Sequence, residues 1–191
     1  LPSDFAMPPG GLNVRWPDGA LEMEARLLDY KLYAALAYCR ANKLNHNVIE
    51  SSRDRLGIIA SGKAFNDTRQ ALSDLRLDDD TCRALGIRLH KVNVVWPLEA
   101  TITRDFAQGL QEILVVEEKR PLIEDQIRSL LYHWPDARRP RVLGKRGEEG
   151  GPTGWLLPPN GELNAEEVAL VIAARLRRFH SDPRIEERAV W

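Results

Sequence analysis

Two short stretches hold the residue types from which a site could be assembled. Ser61-Gly62-Lys63 follows the apolar run Leu56-Gly57-Ile58-Ile59-Ala60 and precedes a segment of helical periodicity. A strand-to-helix junction offers free backbone N–H groups and the positive end of the helix dipole, which suits a small anion. The motif is neither G-x-x-x-x-G-K-[ST] nor G-x-G-x-x-G, so a plain loop and helix start is the competing reading. Glu117-Glu118 closes the second stretch, the apolar run Ile113-Leu114-Val115-Val116. Open α/β folds bind ligands at the carboxyl ends of their strands, where a carboxylate can act as acid or base. Against this, no His or Cys stands nearby in sequence. With Lys119-Arg120 the two glutamates also read as a solvated, self-compensating cluster, whose surface ion pairs are worth about 0–1 kcal/mol each.

Other chemistry is sparse. His46, His90, His133 and His180 are scattered, without H-x-x-H or H-E-x-x-H spacing, so no metal site is expected. Cys39 and Cys82 are too few for an iron–sulfur cluster and fall in two segments that read as helix; reduced thiols are expected, with one disulfide as the alternative. There is no G-x-S-x-G nucleophile elbow. Arg138, Arg139, Arg141, Lys145 and Arg146 are offset by Asp136, Glu148 and Glu149 and read as a solvated edge. Three Trp-Pro pairs, Trp16-Pro17, Trp96-Pro97 and Trp134-Pro135, stand where elements end or loops begin. They read equally as loop anchors and as docking points for neighbouring domains. The candidate ligand or interdomain contacts are therefore Ser61, Gly62, Lys63, Trp96, Pro97, Glu117 and Glu118, and no residue is assigned a catalytic role.

The elements that must position these residues follow from periodicity. Leu21, Ala25, Leu28, Leu32, Leu36 and Cys39 recur at three- and four-residue steps, predicting a long amphipathic helix. Leu56–Ala60 reads as a buried parallel strand, with its crossover helix from Ala64 to Leu75. A short turn follows from Asp78-Asp79-Asp80 to Gly86. A strand from Ile87 to about Val95, bearing Arg88, His90 and Lys91, belongs nearer the sheet's edge. Ile102, Phe106 and Leu110 mark a helix stopped by Gly109. Further units are a strand Ile113–Val116, a helix with Ile123, Ile127, Leu130 and Leu131, and a strand Arg141–Gly144. Asn164 with Glu167 forms a capping box that opens a last helix, Ala165–Phe179. Strands alternating with helices predict a three-layer α/β/α sandwich.

Bulk properties narrow the function. The 191 residues suffice for one core, and 43% hydrophobic with 29% charged residues is globular composition. Lys plus Arg number 27 against 28 Asp plus Glu, which leaves no cationic excess for nucleic acid. No apolar run reaches the roughly 20 residues of a membrane span. Residues 1–20, rich in Pro and Gly, read as an extended arm, 21–180 as a single domain, and 181–191 as a linker to a downstream domain.

Five blocks in order carry a resemblance: SGKAFNDTRQAL at 61–72, RLHKVNVVWPLE at 88–99, EILVVEEKRPLIEDQIRSLLY at 112–132, RPRVLGKR at 139–146 and LLPPNGELNAEEVALVIAARL at 156–176. Together with the PPGGLNVRWPD arm at 8–18, they resemble the indolepyruvate ferredoxin oxidoreductase family, in its long, fused bacterial form. The resemblance implies a middle domain, similar to the C-terminal domain of transketolase, lying between two thiamine diphosphate-binding domains. It implies a five-stranded, mostly parallel sheet with one antiparallel strand. It also implies the parent reaction, oxidative decarboxylation of aryl 2-oxoacids to acyl-coenzyme A, with electrons passed through iron–sulfur clusters to ferredoxin. The family's G-D-G…N pattern for diphosphate and Mg²⁺ is absent, as are its cysteine runs. The expectation is thus a non-catalytic, cytoplasmic structural domain without its own cofactor. Its partners would be the flanking thiamine-binding domains, with ferredoxin serving the parent enzyme and a homodimer face as a further role. The competing expectation is a stand-alone module that binds a small anion or coenzyme at the strand-end edge.

Overall fold

The computed structural model describes residues 1–147 and 154–180; the expected linker at 181–191 lies outside them. Helix α1 (Ala20–Arg26) passes through a π-helical stretch, Leu27–Lys31, into α2 (Leu32–Ala41). There follow β1 (His46–Ile49), β2 (Leu56–Ser61), α3 (Gly62–Asp74), α4 (Asp79–Leu85), β3 (Ile87–Val92) and α5 (Ala100–Ala107). Then come β4 (Glu112–Val116), α6 (Leu122–Leu131), β5 (Arg141–Leu143) and α7 (Ala165–Leu176).

The strands form one sheet in the order β1-β3-β2-β4-β5, with β1 antiparallel and the rest parallel. Because side chains alternate along a strand, the central strands feed two cores. Ile58, Ala60, Leu114 and Val116 join Leu72 of α3 and Val168 and Ile172 of α7 in one apolar cluster. Ile59, Ile113 and Val115 meet Phe106 of α5 and Ile123 and Ile127 of α6 in the other. This is the expected three-layer sandwich, and apolar residues on both faces of β2 and β4 are what burial between two helical layers requires. At Gly57 an added Cβ would lie 2.4 Å from Leu110 Cδ1 and 2.7 Å from Phe106 Cζ, so the absence of a side chain lets α5 and the turn after it sit close against β2.

Boundaries shifted for identifiable reasons. β3 ends at Val92 rather than Val95, because the Asn45 side-chain oxygen takes the N–H groups of Asn93 and Val94, both at 2.9 Å. Asp78 caps α4 by accepting from the Thr81 N–H, so the expected turn is a short helix. The Asn164–Glu167 capping box is present, although α7 stops at Leu176. Periodicity alone did not locate β1; it is the antiparallel strand that the resemblance implied. The long helix exists, yet its first half buries no residue. Among the described residues no helix is long and apolar enough to cross a membrane.

Candidate functional site

Five of the seven candidate residues gather at the carboxyl ends of β2 and β4. Ser61 ends β2 and precedes α3 without a side-chain capping bond, and Gly62 turns the chain with φ +53°. That left-handed conformation favours glycine.

Glu117 is buried, at 4% exposure, which corrects its reading as part of a solvated cluster. Its carboxylate accepts the backbone N–H groups of Leu122, Ile123 and Glu124 at 3.0, 2.8 and 3.0 Å. It therefore fills the positive end of α6, where the first N–H groups have no helical partner. Burial pushes the Glu117 carboxyl up, while the three N–H donors pull it down less strongly. With both oxygens occupied by its own chain, this side chain is a structural cap.

Three lysines close the remaining space. Lys63 Nζ donates to Asp67 Oδ2 at 2.8 Å and to the Leu163 carbonyl at 2.7 Å. Glu162 Oε1 lies 3.3 Å and Glu118 Oε1 3.8 Å from the same ammonium. The Asp67 hydrogen bond holds the Lys63 pKa above its ordinary value. Lys119 Nζ donates to the Gly161 carbonyl, and Lys145 Nζ to the Pro158 carbonyl at 2.7 Å. Lys145 is fully buried, so it too departs from the solvated edge expected for its cluster. Its backbone N–H donates to Glu124 Oε2 at 2.7 Å. Burial lowers the Lys145 pKa against the opposing pull of Glu117, Glu118, Glu124 and Glu167. The segment carrying these carbonyls also buries Leu157 and Leu163 in the first apolar cluster. A strap of the chain itself thus lies across the edge at which a parallel sheet would take a ligand.

Trp96 and Pro97 lie apart from this cluster, in the loop after β3, with Trp96 58% exposed. Gln126 anchors that loop by accepting from the Leu98 N–H at 2.8 Å and donating to the Val95 carbonyl at 3.0 Å. Trp134 packs against the second apolar cluster and is a loop anchor, while Trp16 is 89% exposed. Gln126 went unmarked in sequence, and Lys119 and Lys145 read there only as members of solvated charge clusters, because each acts through a backbone group that local sequence does not bring near. Cys39 and Cys82 are free and buried; burial pushes Cys82 up to about 12 and raises Cys39. Among the described residues no three His, Cys, Asp or Glu side chains converge as metal ligands. They therefore do not fit the Mg²⁺ and iron–sulfur groups implied for the parent enzyme.

A cleft of about 450 Å³ lies away from the strand ends, beside β1, β3 and α5, and is lined in part by His46, Glu50, His90 and Asp105. His90 Nδ1 pairs with Asn47 Oδ1 at 2.7 Å, and its ring rests on Phe106 at 4.8 Å.

Comparisons with known proteins agree with this architecture. The family model described as the indolepyruvate ferredoxin oxidoreductase middle domain matches residues 45–189. The indolepyruvate oxidoreductase subunit IorA of Methanothermobacter marburgensis is 36% identical over 86 residues, which is 45% of this chain and 13% of that protein. The same subunit from Methanothermobacter thermautotrophicus is 31% identical over 111 residues, 58% of this chain and 16% of that protein. The chain thus spans less than a fifth of either relative. Among solved structures, the 2-oxoglutarate:ferredoxin oxidoreductase of Magnetococcus marinus shares the fold, with TM-score 0.52 and 13% identity, over 84% of this chain and 24% of that one. A five-stranded mixed sheet between helical layers and a family match across most of the chain lead to one assignment: the chain belongs to the indolepyruvate ferredoxin oxidoreductase middle-domain family.

Proposed function

We propose that the chain is a non-catalytic structural domain of a thiamine diphosphate-dependent 2-oxoacid:ferredoxin oxidoreductase acting on indolepyruvate and related aryl 2-oxoacids. In this reading the domain holds two flanking thiamine-binding domains in register within one cytoplasmic polypeptide, and contributes to a homodimer. Thiamine diphosphate, Mg²⁺ and the iron–sulfur clusters belong to other parts of that polypeptide; coenzyme A is its co-substrate and ferredoxin its electron acceptor.

One observation carries the reading: the strand-end edge is filled by the chain's own strap, tied down by Lys63, Lys119 and Lys145. Ser61, Gly62, Glu118, Trp96 and Pro97 are then interdomain or structural contacts rather than ligand contacts. Calorimetric titration of this chain with thiamine diphosphate and Mg²⁺ is expected to give only heats of dilution. A tight, saturable isotherm would overturn the assignment.

A further inference from the structure

The strap across the strand ends carries a residue pair whose chemistry the proposed function does not use. Asn160-Gly161 is the one place in the sequence where glycine follows asparagine. The main-chain nitrogen after an asparagine can reach that asparagine's side-chain carbonyl carbon and close a five-membered ring. The step is intramolecular, so its rate depends on how freely the two atoms meet. A folded chain hinders it in three ways: a bulky side chain on the following residue, a hydrogen bond that holds that residue's N–H, or one that holds the carboxamide.

None of the three operates at Asn160. Gly161 has no side chain, and a Cβ placed on it would meet nothing within 4 Å. Both residues are exposed. Neither the Asn160 carboxamide nor the Gly161 N–H has a hydrogen-bond partner among the described residues. The Gly161 carbonyl accepts from Lys119 Nζ, which sets a cation on the residue whose nitrogen must lose a proton. A nearby cation favours a developing anion.

The other asparagines are restrained. Asn42, Asn45, Asn47 and Asn93 donate from their carboxamides, and the Asn164 side chain accepts from the Glu167 N–H. Asn66 lies inside α3, where the following N–H is already a helical donor. Asn13 precedes Val14, whose branched side chain crowds the attacking nitrogen.

We propose that Asn160 is a site of spontaneous covalent modification, at which the strap acquires an isoaspartyl linkage and Lys119 loses the Gly161 carbonyl. The Gly161 nitrogen gives its proton to water and bonds to Asn160 Cγ; the Cγ–Nδ2 bond breaks and ammonia leaves. Water then opens the succinimide. Cleavage of the new Cγ–N bond gives aspartate, and cleavage of the original main-chain bond gives isoaspartate. The net exchange is one water taken up for one ammonia released. Isoaspartate puts the former side-chain Cβ into the main chain between Leu157 and Leu163, both held in the first apolar cluster. The added atom has to be absorbed beside Gly161, whose carbonyl is the middle of the three tied by lysine. This chemistry is independent of whether thiamine diphosphate binds.

Incubation of the 191-residue chain over days at mildly alkaline pH, followed by peptide mapping with mass spectrometry, tests it. The peptide carrying Asn160 should be the first to show the mass shift of amide-to-acid exchange, and should become a methyl acceptor for an isoaspartyl methyltransferase. Asn160→Gln, whose ring would need six members, should show no shift at that peptide. Hydrogen exchange across residues 156–163 should be faster in the isoaspartyl form than in the fresh chain. An Asn160 that stays unmodified in the folded chain, while a synthetic peptide of residues 156–164 is converted, overturns the proposal, because the strap then holds the two atoms apart. A converted chain whose strap exchanges no faster than before overturns the loss of the Lys119 tie.

Discussion

His90 shows how one side chain couples this fold to pH. It lies on β3, bonded through Nδ1 to Asn47, with Nε2 buried and without a partner among the described residues. Burial, with smaller repulsion from His46 and Arg88, pushes its pKa down from 6.5 to about 3. Between those values the unfolded chain takes up a proton that the folded chain refuses, so the stability this group contributes is full above 6.5 and falls as pH drops toward 3. The slope reaches about 1.4 kcal/mol per pH unit. Urea unfolding of the parent and of His90→Gln at pH 7, 5 and 4 isolates the term, since the carboxylates, Glu117 among them, cancel in the difference. The stability advantage of the parent should shrink as pH falls. An advantage that stays constant with pH would show that His90 does not titrate on unfolding. The buried thiols Cys39 and Cys82, both raised in pKa, should stay unreactive toward iodoacetamide until the chain unfolds.

At the scale of elements, the tightest fit is that of α5 and its following turn over β2. Gly57→Ala would force its Cβ into Leu110 and Phe106, both buried in the second core. Such overpacking costs about 1–3 kcal/mol. The expected result is a lower urea midpoint with an unchanged slope; a midpoint equal to the parent's would show that the helix shifts freely. The elements differ in how legible they were. β2, β4, α3 and α6 stood out because a strand buried on both faces is an uninterrupted apolar run, and its crossover helix has a clear stripe. β1 did not: His46-Asn47-Val48-Ile49 is short and half polar, and its pairing with β3 is irregular between Asn47 and Ile49. Its place as a strand is set by the neighbour it meets. The candidate residues Ser61, Gly62, Lys63, Glu117 and Glu118 were grouped correctly at one edge, since the end of a parallel strand can be read from the sequence. Their pairing with the strap could not, because Lys63 and Leu163 are a hundred residues apart.

For the whole molecule, the sheet order makes β3, β2 and β4 the interior and β1 and β5 the edges, while α1 stands outside both cores. Hydrogen exchange should follow this. Backbone amides of β2 and β4 should open only with global unfolding and exchange slowest, and those of β1 and β5 should exchange faster through local opening. Protection uniform across the five strands would mean that the edges are as stable as the centre. Alternating strands and helices, capping residues and apolar runs determined by themselves that this chain makes an α/β sandwich, and the order of its blocks placed it in its family. These are local properties, encoded in the spacing of neighbours. Only the tertiary structure decided that Glu117 caps α6, that Lys145 is buried, and that a strap of the chain is bonded to the strand-end edge. Each depends on which distant backbone groups are brought within about 3 Å of a charged side chain, and charge buried among hydrogen-bond partners looks in sequence the same as charge in water.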